Sequence, residues 1–480
     1  MDQIKLFIKF SYGTIVAFFI SFIITFISTR FFSPEYYGML STFTIIVSTT
    51  MVLLTLGTDN AFVRFFNHYK SESRPSLLKY LLKLPSFFFI LLCLFSLIFY
   101  EKISVFIIGE SDLVIVVVLL ITIFFELVLR FASLVLRMQK KANLYSIIQI
   151  SHKLIYALAI IIMYNFVSEK YKILIFSFSS GIFITSILAV LFDAKFWFLT
   201  KKETNQINKK VLILYSLPFV ISSTLSVVNE NIDKFFIKLL MNDSYLGIYT
   251  AGFKLVMMIS LFQGLISTML VPIFYEHYEK NPEDFSFYTK TFNLVSILML
   301  IISTGFIMFK DIFILILGQE YRNVSSIIPF LVFGPMMYTI SETTVIGINF
   351  KKKSSYHVLV SLSVMITGII MNYILVPILG LMGAGIAYSI SSTVFFVSRS
   401  LFSSLALRIE YQYKKLSFVV IPFSLYALFA SLNKIITLNF VLGFLMLILI
   451  ILVYNKDIRT LYKVLSKKRI KEKEIYDYFI

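Results

Sequence analysis

Apolar residues run along this chain in about fourteen stretches, each long enough to cross a bilayer and each closed by a short polar segment. The stretches fall at 10–32, 38–58, 80–100, 113–136, 144–167, 171–192, 212–238, 245–273, 290–309, 325–349, 357–377, 381–405, 416–432 and 437–455. Backbone N–H and C=O groups inside lipid must be satisfied within their own segment, so runs of this length predict membrane-spanning α-helices. The pattern reads as an all-α polytopic membrane protein with no polar stretch long enough to fold as a soluble domain. Lys5 and Lys9 precede the first run as in a signal peptide. No small-residue cleavage site follows and further spans do, so this segment reads as a retained first helix.

Composition agrees with the pattern. Of 480 residues 58% are hydrophobic and only 15% charged, against about a quarter charged in soluble domains. The net charge of +18 would point to nucleic acid in a soluble protein. Here the basic residues sit in short loops, where they set topology and meet anionic phospholipid, so no nucleic-acid partner is expected. Alternate loops carry Arg64, Lys70 and Arg74, then Arg137, Lys140 and Lys141, then Lys195 to Lys210, then Lys351 to Lys353, then Arg408, Lys414 and Lys415. The opposite loops are sparse in lysine and arginine, which places both termini in the cytoplasm. The single cysteine, Cys93, allows no disulfide within the chain. His68, His152, His277 and His357 are too scattered for a metal motif, and no metal or cofactor is expected.

One offset of 209 relates three pieces of the first half to the second: Tyr36-Tyr37-Gly38 to Tyr245-Leu246-Gly247, His68-Tyr69 to His277-Tyr278, and Ile107-Ile108-Gly109-Glu110 to Ile316-Leu317-Gly318-Gln319. With two inserted residues, Lys140-Lys141 meets Lys351-Lys352. Such an offset spans six helices, an even number, so both copies insert the same way round as a parallel repeat. The expected architecture is two pseudo-symmetric six-helix lobes, 1–200 and 212–410, joined by a linker at 193–210. Two additional helices follow at 416–455, then a basic cytoplasmic tail at 456–480.

Several segments then point to a family. Arg30-Phe31-Phe32-Ser33-Pro34-Glu35-Tyr36-Tyr37-Gly38 and Asp59-Asn60-Ala61-Phe62-Val63-Arg64-Phe65-Phe66 resemble the ends of the first two helices of bacterial polysaccharide flippases. Leu217-Pro218, Asp233-Lys234-Phe235-Phe236-Ile237, Leu246-Gly247-Ile248-Tyr249 with Lys254, and Pro377 to Ala387 are similar to later segments of that family, in order along the whole chain. The chain thus resembles the Wzx-type oligosaccharide-lipid flippases of the MATE-like multidrug/oligosaccharidyl-lipid/polysaccharide exporter superfamily. The resemblance implies a location in the bacterial cytoplasmic membrane and an undecaprenyl-pyrophosphate-linked oligosaccharide as cargo. It also implies work beside polysaccharide polymerase and glycosyltransferases in capsule or O-antigen assembly. No cofactor is implied beyond a coupling ion, sodium or proton.

An anionic head crossing an apolar slab needs cations along its path, and charges inside spans mark such paths. The candidates are Lys254 first, then Lys153 and Arg399, with Lys234, Arg130 and Arg64. Candidates for ion coupling are the in-span acids Asp233, Glu342, Glu230 and Glu126. A structural reading stands beside each. Glu126 with Arg130 and Glu230 with Lys234 are spaced i, i+4 and fit simple pairs, while Arg399 and Lys254 fit snorkelling to a boundary. Gly383, Ala387 and Ser391 make a small-residue ridge for helix packing. Pro218, Pro335 and Pro422 are candidate bends. A lipid II flippase and a MATE-type multidrug antiporter remain as alternatives. A membrane polymerase or acyltransferase fits less well, because the outer loops are short and no histidine pair exists, so the chain reads as a non-enzyme.

Overall fold

The computed structural model describes residues 2–198, 209–433 and 435–460. Among them every regular element is helical and no strand occurs. The first six long helices are α1 (Asp2–Phe31), α2 (Pro34–Thr55), α3 (Arg74–Ile98), α4 (Leu113–Met138), α5 (Ala142–Met163) and α6 (Lys170–Leu191). Then come α7 (Lys209–Leu240), α8 (Asp243–Lys280) and α9 (Ser286–Met308). The tenth, α10, is broken: a 3-10 segment Gln319–Ser326 meets Ile328–Thr344 at a 57° bend. The last four are α11 (Ser355–Leu379), α12 (Leu381–Ala406), α13 (Tyr413–Leu432) and α14 (Ile436–Val453). Thirteen of these are long and apolar enough to cross a membrane, or fourteen if the bent α10 is one span.

Two spans differ from the sequence expectation for local reasons. The apolar run 325–349 reads as one helix, but Pro329 has no N–H to donate back to Ser325, and the ladder breaks at Ile327 between the two segments. α8 was expected to end near 273. It continues to Lys280, where Glu276 and Lys280 pair at 2.6 Å one turn apart on its exposed last turns. Residues 199–208 of the expected linker and 461–480 of the expected tail lie outside the described residues.

The chain forms two compact units, Met1–Asn231 and Ile232–Ile480, which part inside α7. In the first, α1 lies on α5 so closely that a Cβ on Gly13 would fall 2.4 Å from Ser146. α4 and α6 pack around Leu129, Ala132, Leu136, Ile148, Ile182 and Ala189. In the second, Gly383 lets α12 meet α11, where a Cβ would sit 2.1 Å from the Leu375 carbonyl oxygen. The additional helices are pinned to α9 at both ends. Buried Asn439 donates to the carbonyls of Ile307 (3.1 Å) and Met308 (3.3 Å) and accepts from Tyr426 at 2.9 Å. Asp457 accepts from Asn293 and Lys415, both at 2.9 Å. Such polar contacts hold helices together where lipid offers no hydrophobic drive.

The two units share an internal neighbour pattern: α2–α4, α4–α6 and α5–α6 in one, α8–α10, α10–α12 and α11–α12 in the other. They also share a helix ending. Lys140 and Lys352 both adopt left-handed backbone (φ 59° and 54°). The next amides reach back to Leu136 O at 2.9 Å and Ile348 O at 3.0 Å. This shared cap matches Lys140 to Lys352, so three residues are inserted between the copies rather than two. Gly109 and Gly318, aligned by the constant offset, differ in backbone, with φ of 82° and −59°.

At the far end of the first unit a polar lock joins two loops. Asp112 accepts from Val114 N (2.8 Å) to cap α4, and Lys172 Nζ reaches Asp112 (2.9 Å) and Glu169 (2.6 Å). Burial pushes the Asp112 carboxyl up, but the Lys172 ammonium and the Val114 N–H outweigh it and hold the group below its ordinary value. The hydrogen bond from Lys172 likewise holds Glu169 low. A carboxylate with a depressed folded pKa stabilises the fold above its unfolded value and loses that contribution as pH falls through the folded one. The melting temperature of the detergent-solubilised protein is therefore expected to fall between about pH 5 and about pH 3. Lys172→Met should flatten that fall; an unchanged pH profile in the variant would remove the lock from the account.

Candidate functional site

Polar residues on α4 recur at Glu126, Arg130, Ser133 and Arg137, spacings of four, three and four that keep them on one helix face. On α5 Tyr145, Gln149 and His152 do the same. The two stripes line one cavity of about 360 Å³, closed by Asp59, Asn60 and Val63 of the short helix Thr58–Phe65. Asp59 is buried in the first turn of that helix, where the N-terminal amides favour an anion. Arg130 Nε donates to Asp59 Oδ2 at 2.9 Å, and a second guanidinium N–H donates to the same oxygen. Arg130 thus pairs across the cavity and not with Glu126 one turn away. Its side chain stays 43% exposed, so the guanidinium also faces the open space. Lys153 and Arg130 are the cations whose charge reaches Glu126. His152 Nε2 is buried without a hydrogen-bond partner among the described residues.

In the second unit two clusters gather the other candidates. Arg399 is buried and paired, donating to Glu342 Oε1 at 2.6 Å and Ser341 Oγ at 2.8 Å. Its guanidinium lies over the rings of Tyr338 (5.4 Å) and Phe395 (5.3 Å), which are themselves stacked. Asp233 on α7 is buried, accepting from Asn372 of α11 at 2.6 Å and Tyr249 of α8 at 3.3 Å. The oxygen of that amide, Asn372 Oδ1, is buried with no hydrogen-bond partner among the described residues. Lys234 Nζ sits 5.1 Å from the Phe253 ring centroid. Lys254 is half-buried on α8, while Arg64 and Glu230 are exposed. Among the described residues no metal-binding cluster of three His, Cys, Asp or Glu is present.

Of the sequence candidates, the fold brings Glu126 and Arg130 to one cavity, with the charge of Lys153 reaching Glu126, joins Arg399 to Glu342, and buries Asp233. It leaves Arg64, Glu230 and Lys254 out of these three groups. Asp59, Tyr145, Gln149, His152, Tyr249 and Asn372 were not singled out as site residues. The helical period of polar positions on α5 was a usable signal for three of them.

Comparison with known proteins places this geometry. The family described as polysaccharide biosynthesis protein matches residues 6–278. The capsular polysaccharide biosynthesis protein CapF of Staphylococcus aureus is 22% identical over 307 residues, covering 62% of this chain and 76% of CapF. Among solved structures, the lipid II flippase MurJ in an inward closed conformation superposes with a TM-score of 0.70 at 17% identity, covering 94% of this chain and 99% of MurJ. An inward-facing MATE multidrug resistance transporter of the MOP superfamily gives 0.60 at 14% identity, covering 83% and 97%. The chain is therefore a multi-pass membrane protein with the MurJ- and MATE-like fold, and it belongs to the polysaccharide biosynthesis protein family.

Proposed function

We propose that the protein is a flippase that carries an undecaprenyl-pyrophosphate-linked oligosaccharide from the inner to the outer leaflet of the bacterial cytoplasmic membrane, supplying capsule or O-antigen assembly. Both termini then face the cytoplasm, and translocation proceeds by alternating access with no covalent step. The observation that carries the reading is the α4–α5 cavity. It sets Arg130 and Arg137 on its wall, with Lys153 beside it, within helices that otherwise present leucine, isoleucine and phenylalanine. Two arginines offer fork-shaped donors suited to a pyrophosphate. Gln149, Tyr145 and Asn60 add neutral groups for sugar hydroxyls. Family membership supports a saccharide cargo. Polysaccharide polymerase and glycosyltransferases are the enzymes whose substrates this step would link.

Coupling is assigned to Asp233. A carboxylate held by Asn372 and Tyr249, with a free amide oxygen alongside, supplies oxygen ligands for sodium or a site for one proton. The test is a strain lacking the protein, in which lipid-linked saccharides and surface polysaccharide are quantified by mass spectrometry. Lipid-linked repeat units should accumulate and be cleared by the wild type. Asp233→Asn, present at wild-type level, should clear them at least tenfold more slowly, a barrier change of about 1.4 kcal/mol. A second reading, a lipid II flippase, shares the pyrophosphate chemistry and is chosen instead if lipid II is what accumulates. Unchanged levels of both lipids would leave multidrug export as the reading to pursue.

A further inference from the structure

The first unit carries a second recess of different character, which shares no lining residue with the cation-lined cavity. It holds about 260 Å³ between α3 and the first half of α7. Leu56, Leu81, Leu84, Phe87, Leu212 and Leu217 form most of its wall. Below the 300–1,000 Å³ usual for whole small-molecule ligands, it suits a length of hydrocarbon chain. Its position follows from a tight contact. The turn Leu56–Gly57 has left-handed backbone at both residues (φ 46° and 72°). A Cβ on Gly57 would fall 2.4 Å from the Ser216 carbonyl oxygen. This turn seats α7 against the end of α2, and α3 lies alongside with the groove between them. Phe87, Ile213 and Leu217 are 56%, 42% and 53% exposed, so the groove opens toward lipid.

Lys83 lies on its rim. The residue is exposed, and it makes no hydrogen bond or ion pair to any described residue. It stands nine residues into α3, about 13 Å along the axis from Arg74. Helical side chains lean toward the N-terminus, so the ammonium points back to the Arg74 end, where phosphates lie. No acidic residue lines the groove, and none stands one turn away on α3. An exposed lysine without an acidic neighbour is open to an anion brought by a ligand.

We propose that this groove binds one anionic glycerophospholipid, with an acyl chain between Leu84, Phe87 and Leu217 and the phosphate on Lys83. Charge complementarity selects the occupant: a cation beside an apolar slot, with Lys79 one turn before it on the same helix, fits a chain with an anionic head. The site is a resident-lipid site and not the path of the cargo.

Native mass spectrometry of the delipidated protein tests it, with phosphatidylglycerol, phosphatidylcholine of the same chains, and undecaprenyl phosphate as probes. Wild type should bind one phosphatidylglycerol in preference to the other two. Lys83→Met should weaken that binding by about tenfold, the loss of one charge-assisted hydrogen bond. Leu84→Trp, which fills the slot and keeps the charge, should weaken it as well. Both substitutions lie on the lipid-facing groove, and unchanged melting temperatures without added lipid will show that they fold. Equal binding by wild type and Lys83→Met overturns the proposal, as does equal binding of phosphatidylcholine. Preference for undecaprenyl phosphate overturns it in favour of a carrier site.

Discussion

Arg399→Met is expected to destabilise the second unit by about 3–5 kcal/mol, the cost of leaving one member of a buried ion pair without the other. Arg399 and Glu342 are each 8% exposed, and their 2.6 Å contact is reinforced by Ser341 and by the two rings over which the guanidinium lies. Methionine fills the space between Tyr338 and Phe395 and strands the carboxylate. The measurement is the melting temperature in detergent together with the amount of protein in the membrane. Glu342→Gln added to Arg399→Met should restore most of the loss, because a neutral amide no longer needs the cation and apolar replacements of buried pairs are often neutral. The double variant also separates two roles. If it melts normally and clears lipid-linked saccharide, the pair is structural. If it melts normally and fails to clear it, Arg399 contributes to the path as well. A single variant that melts like wild type would contradict the buried pair itself.

The fold was legible in the sequence because its dominant cause is local and repeated. A bilayer requires every span to be apolar and helical, so length and hydropathy alone find α1 to α9 and α11 to α14. The break in α10 was readable only through Pro329, whose effect the surrounding apolar run masks. Pairings were less legible. Sequence spacing offers Arg130 only Glu126 as a partner, since i, i+4 is the one geometry it reveals. Asp59 is 71 residues away, and the packing of the short helix Thr58–Phe65 against α4 brings it there. Arg399 and Glu342 were each legible as in-span charges, but their contact joins α12 to α10 across 57 residues. Asn372 carries no charge, and nothing in its neighbourhood along the chain marks it as the partner of Asp233. Lys83 was not singled out in the sequence, and its significance lies in the groove beside it.

Arg130→Gln is expected to stop clearance of the lipid-linked saccharide, and the reason separates cargo binding from structure. Arg130 does two things in the α4–α5 cavity: it holds the buried Asp59 carboxylate, and it offers the exposed part of its guanidinium to the space where a pyrophosphate would sit. Removing it leaves Asp59 uncompensated, so some loss of folded protein is expected from that cause alone. Asp59→Asn in the same chain removes the stranded charge. If Arg130 serves only to hold Asp59, the double variant Asp59→Asn, Arg130→Gln should fold and clear the cargo. On the present reading it should fold to wild-type level and still clear the cargo about 10- to 100-fold more slowly, the effect of losing one hydrogen-bonded charge worth roughly 1.5–3 kcal/mol. Asp59→Asn alone, which keeps the arginine and releases it toward the cavity, should retain transport. Arg130→Lys should fall between wild type and Arg130→Gln, because an ammonium keeps the charge and loses the two-pronged donor. Transport by the double variant at the wild-type rate would take Arg130 out of the path and leave Arg137 and Lys153 as the cations at this cavity to examine.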